Sequence, residues 1–138
     1  MRILGLDFGT KRIGVAISDE LLLTAQGMDT IYRKELKRDL EAIAGIVKEN
    51  NVTEIVVGLP VSMDGTHSRK TKETLEFIDL LAKSVTVPVR SWDERLTTVQ
   101  ADRSMLERGM DSFKRRQLAD KIAAQLILQG YLDCRKRG

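Results

Sequence analysis

The hydrophobic period of this chain changes along its length, and that change limits the folds open to it. Residues 2–8 carry the apolar run Ile3-Leu4-Gly5-Leu6. In residues 12–18, Ile13, Val15 and Ile17 alternate with Gly14, Ala16 and Ser18, the two-residue repeat of a strand. A tight turn through Gly9-Thr10-Lys11 joins the two, and a third strand is expected over residues 23–32, with Gly27 at a bulge. Leu36, Leu40, Ile43 and Val47 then repeat at helical spacing, and Asn50-Asn51 ends that helix.

The alternation of elements continues downstream. Val52 to Gly58 is a nearly unbroken apolar run, the pattern of a strand covered on both faces. "GLPVSMDGTHS", residues 58–68, reads as a loop, with Asp64 to Ser68 mobile and His67 exposed. A helix is expected over 69–84, with Leu75, Ile78 and Leu81 on one face. The next strand is expected over 85–92, where Pro88 implies an edge or a bulge. Two helices, 96–109 and 113–133, should complete the chain. A three-strand meander followed by strand–helix units predicts an α/β fold, a mixed sheet flanked by helices.

The 138 residues suit a single domain with its own core, 42% apolar and 31% charged. No apolar run approaches the roughly 20 residues of a membrane span, so no membrane partner is expected. Asp7 interrupts the only apolar stretch near the N-terminus, which argues against a signal peptide. Cys134 is the single cysteine; it excludes an internal disulfide, and with His67 it cannot make a zinc site. A reducing, cytoplasmic setting is the expectation. The net charge of +3 says little, but basic residues cluster at Arg33-Lys34-Lys37-Arg38, Arg69-Lys70-Lys72, Lys114-Arg115-Arg116 and Arg135-Lys136-Arg137. Such patches either meet phosphates along a polyanion or form a solvated surface.

Strand carboxyl ends gather at one edge of such a sheet, where ligands bind. Asp7 lies near the end of the first strand, and Asp93 and Glu94 lie at the end of the last. Alternation sets Val87, Val89, Ser91 and Asp93 on one face and Arg90, Trp92 and Glu94 on the other, so only one of the two acids should face Asp7. Asp120 lies on the last helix, where Ala123 and Ala124 would let that helix approach the sheet and Leu118, Ile122 and Leu126 would fill its apolar stripe. Three carboxylates from distant segments repel one another unless a cation joins them. Oxygen-only ligands suit Mg²⁺ or Mn²⁺, and such a site can hydrolyse a phosphodiester. Each acid also has a plainer reading: Asp93 paired with Arg95 at the surface, Asp120 as an exposed helix charge. Asp7 is the hardest to dismiss, because an unpaired acid ending a buried strand is costly.

Four stretches in order, "GLDFGTKRIGVAISD", "VVGLP", "DERLTT" and "DKIAAQLILQGYLD", resemble the YqgF/RuvX family of the ribonuclease H-like superfamily, from residue 1 to about 133. The resemblance implies one ribonuclease H-like domain over 1–138. Its five-stranded mixed sheet would have strands 1–3 as an antiparallel meander, strands 4 and 5 parallel, and strand one central. It implies a metal-dependent nuclease using Mg²⁺ or Mn²⁺ that matures the 5′ end of pre-16S ribosomal RNA, acting on structured RNA; whether the protein is a monomer or a weak dimer does not follow from it. The alternative is a Holliday junction resolvase acting on branched DNA. Asp7 and Asp120 match the family's first and last acids, and Glu94 best matches the middle one, with Asp93 its competitor because "GLP" stands where many relatives carry that acid. These three would be catalytic residues and metal ligands.

Lys11 and Arg12 in the first turn, Arg95, and Lys114, Arg115 and Arg116 are the candidates for nucleic-acid contact. Arg95 could instead neutralise Glu94. Gly5, Gly9 and Gly14 would permit close backbone approach or positive φ near phosphate. Thr97 and Thr98 read as helix caps, and Trp92 as core. Two other classes compete. "LDFGTKRIGVAISD" also resembles the first phosphate loop of actin-like ATPases, with Asp64-Gly65-Thr66 imitating the second, but those folds close two domains around the nucleotide. A non-catalytic nucleic-acid adaptor is the other; massed acids facing phosphates argue against it.

Overall fold

The computed structural model describes residues 1–96 and 112–137. Strands β1 (Arg2–Phe8), β2 (Arg12–Ser18) and β3 (Ala25–Tyr32) form an antiparallel meander. Strand β4 (Val52–Leu59) runs parallel to β1 on its other side, and β5 (Val89–Asp93) runs parallel to β4. The order is β3-β2-β1-β4-β5, so the strand carrying Asp7 is central. Helix α1 (Leu36–Glu49) follows β3, α2 (Arg69–Ser84) follows β4, a 3₁₀ turn (Glu94–Leu96) follows β5, and α3 (Ser112–Arg137) ends the chain. The helix expected over 96–109, with Thr97 and Thr98, lies outside the described residues. Among the described residues no helix is long and apolar enough to cross a membrane.

The two-residue repeat divides the interior into two layers. Leu4, Leu6, Phe8, Ile13, Val15, Ile17, Ile55 and Val57 turn to one face and meet Ile43 of α1 and Phe77 and Leu81 of α2. Ile3, Ala16 and Val56 turn to the other and meet Ala124, Ile127, Leu128 and Leu132 of α3. Each fully buried Leu or Ile contributes roughly 1.5–3 kcal/mol. The parity has a consequence for chemistry: Gly5 and Asp7 share the α3 face with Ile3, and Gly14 shares it with Ala16.

Several sequence expectations shift in the structure. In α2 the buried face runs through Thr71, Thr74, Phe77 and Leu81, and Leu75 is exposed, because Phe77 stacks on Phe8 with ring centroids 4.1 Å apart. Strand β5 begins at Val89 rather than residue 85; Pro88 has no N–H to pair and instead its carbonyl accepts Ile55 N at 2.9 Å. It is an edge strand, as the proline implied. Strand β3 starts at Ala25, and Gly27 pairs in register with Ala16; the register shift falls between the Val15–Met28 and Ile13–Ile31 pairs. Thr30, within that irregular stretch, keeps a buried hydroxyl with no hydrogen-bond partner among the described residues.

On α3 the fully buried residues are Ala124, Ile127, Leu128 and Leu132, while Leu118, Ile122 and Leu126 are only half-buried. Bare glycine backbone on the sheet decides this. A β-carbon at Gly5 would lie 2.7 Å from Leu128 Cβ, and one at Gly14 would collide with the Asp120 carbonyl. Gly5 and Gly14 therefore serve close approach of a helix rather than of phosphate, and neither has positive φ. Gly9 also has ordinary φ; its N–H donates to Arg12 O at 2.9 Å and closes the first turn.

Candidate active site

At the carboxyl end of β1 the chain builds an open cleft of about 340 Å³, lined by Asp7, Gly9, Thr10, Lys11, Arg12, Lys70 and Asp120; Glu94 is not among the lining residues and is linked to the site through the charge of Asp7. Asp7 reaches it because it is the penultimate residue of the central strand and points to the α3 side. Asp120 reaches it because Gly14, opposite Asp7 in the β1–β2 ladder, leaves room for the backbone of α3. Asp120 is not an exposed helix charge: its Oδ2 accepts Arg12 Nε at 2.6 Å.

Parity separates the two acids that end β5. Trp92 packs into the α3 layer, edge-on to Tyr131 with centroids 5.9 Å apart and its ring against Gly130. Its aromatic surface is thus core, as expected. Glu94, two residues on, comes to lie over Gly58 at the end of β4, its Oε1 3.1 Å from where a β-carbon would be. Asp93 faces away and is held by Arg95, through Arg95 N at 2.9 Å and Arg95 Nη2 at 2.7 Å. That hydrogen bonding holds the Asp93 carboxyl below its ordinary range. Arg95 therefore neutralises Asp93, not Glu94, and it is not among the residues lining the cleft.

Burial dominates the electrostatics of Asp7 and Glu94. Burial pushes the Asp7 carboxyl above its ordinary value, Asp120 pushes it further, and Lys70 opposes. Burial also raises Glu94, followed by the charge of Asp7, with Lys70 again opposing. Asp7 is thus the electrostatic neighbour of both other acids. Among the described residues, no three acidic, His or Cys side chains stand close enough together to hold one ion as they are, and Asp120 is held by Arg12. The donor set is nonetheless hard oxygen, and the Asp7 and Glu94 carboxyls are partly desolvated, which fits Mg²⁺ or Mn²⁺ held by one or two carboxylates with waters.

The other candidates for nucleic-acid contact divide. Lys11 and Arg12 line the cleft, on the turn from β1 to β2. Lys114, Arg115 and Arg116 lie exposed on the first turns of α3, outside the lining. Arg33, grouped by sequence with surface charges, instead braces the first turn. Its Nη1 donates to Gly9 O and Thr10 O, both at 3.1 Å, and its guanidinium lies 4.5 Å from the Phe8 ring centre. Buried Asp39 holds it from behind, Oδ2 3.5 Å from Arg33 Nε. Lys70 is visible in sequence only as part of a basic run; the signal that marks it is its place in the first turn of α2. The Asp64–Thr66 turn closes on itself, Asp64 Oδ1 accepting Thr66 N at 3.0 Å and Thr66 Oγ1 at 2.7 Å. It does not line the cleft, which removes the second phosphate loop an ATPase would need.

Comparison with known proteins finds relatives that match along nearly the whole chain. A protein from Halothermothrix orenii named "Putative pre-16S rRNA nuclease" is 51% identical over 133 residues, covering 96% of this chain and 95% of the relative. A relative of the same name from Myxococcus xanthus is 50% identical over 136 residues, covering 99% and 90%. Among solved structures, RuvC of Thermus thermophilus in complex with a Holliday junction substrate superposes with a TM-score of 0.58 at 15% identity, over 97% of this chain and 96% of that one. The fowlpox virus resolvase bound to Holliday junction DNA does so with a TM-score of 0.54 at 14% identity, over 97% and 98%. These two share the ribonuclease H-like fold expected from the sequence. The RuvX family model, described as Holliday junction resolvase, matches residues 1–134, and with relatives half identical along nearly their whole length the chain belongs to the RuvX family.

Proposed function

We propose that this protein is a divalent-metal-dependent nuclease that hydrolyses phosphodiester bonds in the 5′ leader of precursor 16S ribosomal RNA, in the cytoplasm. The observation that carries the reading is Asp7, a largely buried carboxylate ending the central strand, close to two further acids and flanked by Lys11, Arg12 and Lys70. Acids alone would repel a polyanion, and bases alone would only bind one. Together they suit a reaction at phosphate.

Asp7 and Glu94 would hold the ion, with Asp120 joining once Arg12 releases it. Bound there, Mg²⁺ or Mn²⁺ supplies Lewis acidity toward a phosphoryl oxygen and a more acidic water. In the hydrolysis, water oxygen bonds to phosphorus, one P–O ester bond breaks, and the proton lost by water ends on the departing oxygen. Arg12 has a second partner ready: a substrate phosphate can take the guanidinium that Asp120 now occupies, as a charge-assisted pair. Lys11 would hold a neighbouring phosphate.

The name shared by the relatives favours RNA, while the family description favours four-way DNA. A cleavage assay decides between them. Purified protein with Mn²⁺ is offered a 5′-extended 16S precursor fragment, single-stranded DNA and a four-way junction, each beside the Asp7→Asn variant. Cleavage confined to the precursor and lost in the variant is the expected result. Junction cleavage alone would establish the DNA reading, and cleavage retained by Asp7→Asn would remove the site.

A further inference from the structure

Helix α2 begins in a way that stability alone does not favour. Its first turn holds Arg69, Lys70 and Lys72 and no acidic residue, although the amino end of a helix is its positive pole. Violations of a local rule of this kind concentrate at functional sites. The start of the helix is nonetheless firmly built. Ser68 and Thr71 exchange capping hydrogen bonds, Thr71 Oγ1 donates to Pro60 O at the end of β4, and Thr74 Oγ1 donates to Lys70 O at 2.8 Å. The "GLP" loop and the cap thus fix Lys70 at the strand ends.

Three neighbouring arginines already have partners within the protein. Arg12 is taken by Asp120, Arg95 by Asp93 and Arg69 by Glu73. Lys70, exposed like the rest of that turn's basic residues, is like Lys11 in none of the ion pairs among the described residues, yet it lines the cleft with Asp7, Lys11, Arg12 and Asp120, and it alone of these comes from α2. It approaches from α2, on the opposite layer of the sheet from α3. Its charge also opposes the burial-driven rise of both Asp7 and Glu94.

We propose that Lys70 is a catalytic residue of this site, contacting a non-bridging oxygen of the phosphodiester being cleaved, from the side opposite Lys11 and Arg12. The proposal rests on the nuclease reading. An ammonium on a flexible stem suits it: the contact can follow the phosphate as charge moves during hydrolysis.

The test compares wild type with Lys70→Gln and Lys70→Arg in two arms. In the first, the 5′-extended 16S precursor fragment is cleaved at saturating Mn²⁺. Lys70→Gln should lower kcat roughly a hundredfold with a smaller change in KM, and Lys70→Arg should restore most of it. In the second, a short labelled single-stranded oligoribonucleotide is titrated in EDTA across a range of KCl. Lys70→Gln should reduce the slope of log Kd against log salt by about one phosphate contact. Unchanged kcat and slope would make Lys70 a solvated helix residue and overturn the proposal. So would a defect present only at low Mn²⁺, which would mean that Lys70 merely shields the acids, or a fall in melting temperature that Lys70→Arg shares. If wild type cleaves nothing, the nuclease reading fails by itself, and an unreduced slope in the second arm is what would overturn the phosphate contact.

Discussion

Arg12 Nε stands 2.6 Å from Asp120 Oδ2, so the last acid of the site and a base of the cleft neutralise each other. Both side chains are partly exposed, which limits the pair to about 1 kcal/mol of stability at most. Its larger consequence is competition. Arg12→Gln should bind Mn²⁺ more tightly in the absence of RNA, because Asp120 is freed, and bind RNA less tightly, because a phosphate contact is gone. Mn²⁺ titration followed by electron paramagnetic resonance, beside RNA titration, checks both signs. Weaker Mn²⁺ binding would mean that Arg12 holds Asp120 in place for the ion.

Gly14 is the residue that lets α3 deliver Asp120. A β-carbon there meets the Asp120 backbone carbonyl, which cannot swing aside as a side chain can. Gly14→Ala should therefore cost about 1–3 kcal/mol by overpacking. Gly45, within α1, has open space around its missing β-carbon. Gly45→Ala should stabilise by about 0.5–1 kcal/mol through helix propensity. Urea denaturation of the two variants should move in opposite directions.

The sequence made some of this plain and hid the rest for physical reasons. Ile13, Val15 and Ile17 announced a strand because the large residues face α1 and α2 while Gly14 and Ala16 keep the other face low for α3, and the same parity already limited Asp93 and Glu94 to one facing Asp7. The stripe on α3 misled, since which helix face is deepest depends on glycines in other strands that remove the surface between them. Asp7 was legible as an acid where none should rest without a partner. Arg33 was not, because its partners Gly9 and Thr10 lie more than twenty residues away in sequence and are backbone carbonyls. Lys70 reads as solvated charge in the sequence, and its place at the cleft depends on the tether between the start of α2 and the Pro60 carbonyl just beyond β4.

Arg33 and Asp39 together pin the turn that carries Lys11 and Arg12. Among the described residues, removing the guanidinium leaves the carboxylate of Asp39, which is 2% exposed, with Lys34 N at 3.1 Å as its remaining hydrogen-bond partner. Arg33→Met should cost more than about 2 kcal/mol, whereas Arg38→Met, whose ion pair with Glu35 is exposed on both sides, should cost less than about 0.5 kcal/mol. The double variant Arg33→Met/Asp39→Asn should recover part of the loss. A simple sum of the two single effects would deny the coupling.

Stability should depend on pH with a definite sign. Asp7 and Glu94 have folded values raised above those of the unfolded chain, so the folded state holds their protons more readily. Their penalty is absent below the ordinary carboxylate range and grows as pH rises through the raised values. Without metal, the stability of Asp7→Asn relative to wild type should therefore increase across that window and then level. Urea denaturation in EDTA at a series of pH values measures the difference. A gap that does not change with pH would place Asp7 in an unperturbed setting.

The most direct measurement is the melting temperature of wild type and Asp7→Asn, each in EDTA and in excess Mn²⁺. A carboxylate kept at the end of a central strand in order to bind metal costs the metal-free fold and gains from the ion. Asp7→Asn should melt no lower than wild type in EDTA, and Mn²⁺ should raise the melting temperature of wild type but not of the variant. A variant that melts well below wild type in EDTA, or gains as much from Mn²⁺, would contradict the assignment of Asp7 as a metal ligand.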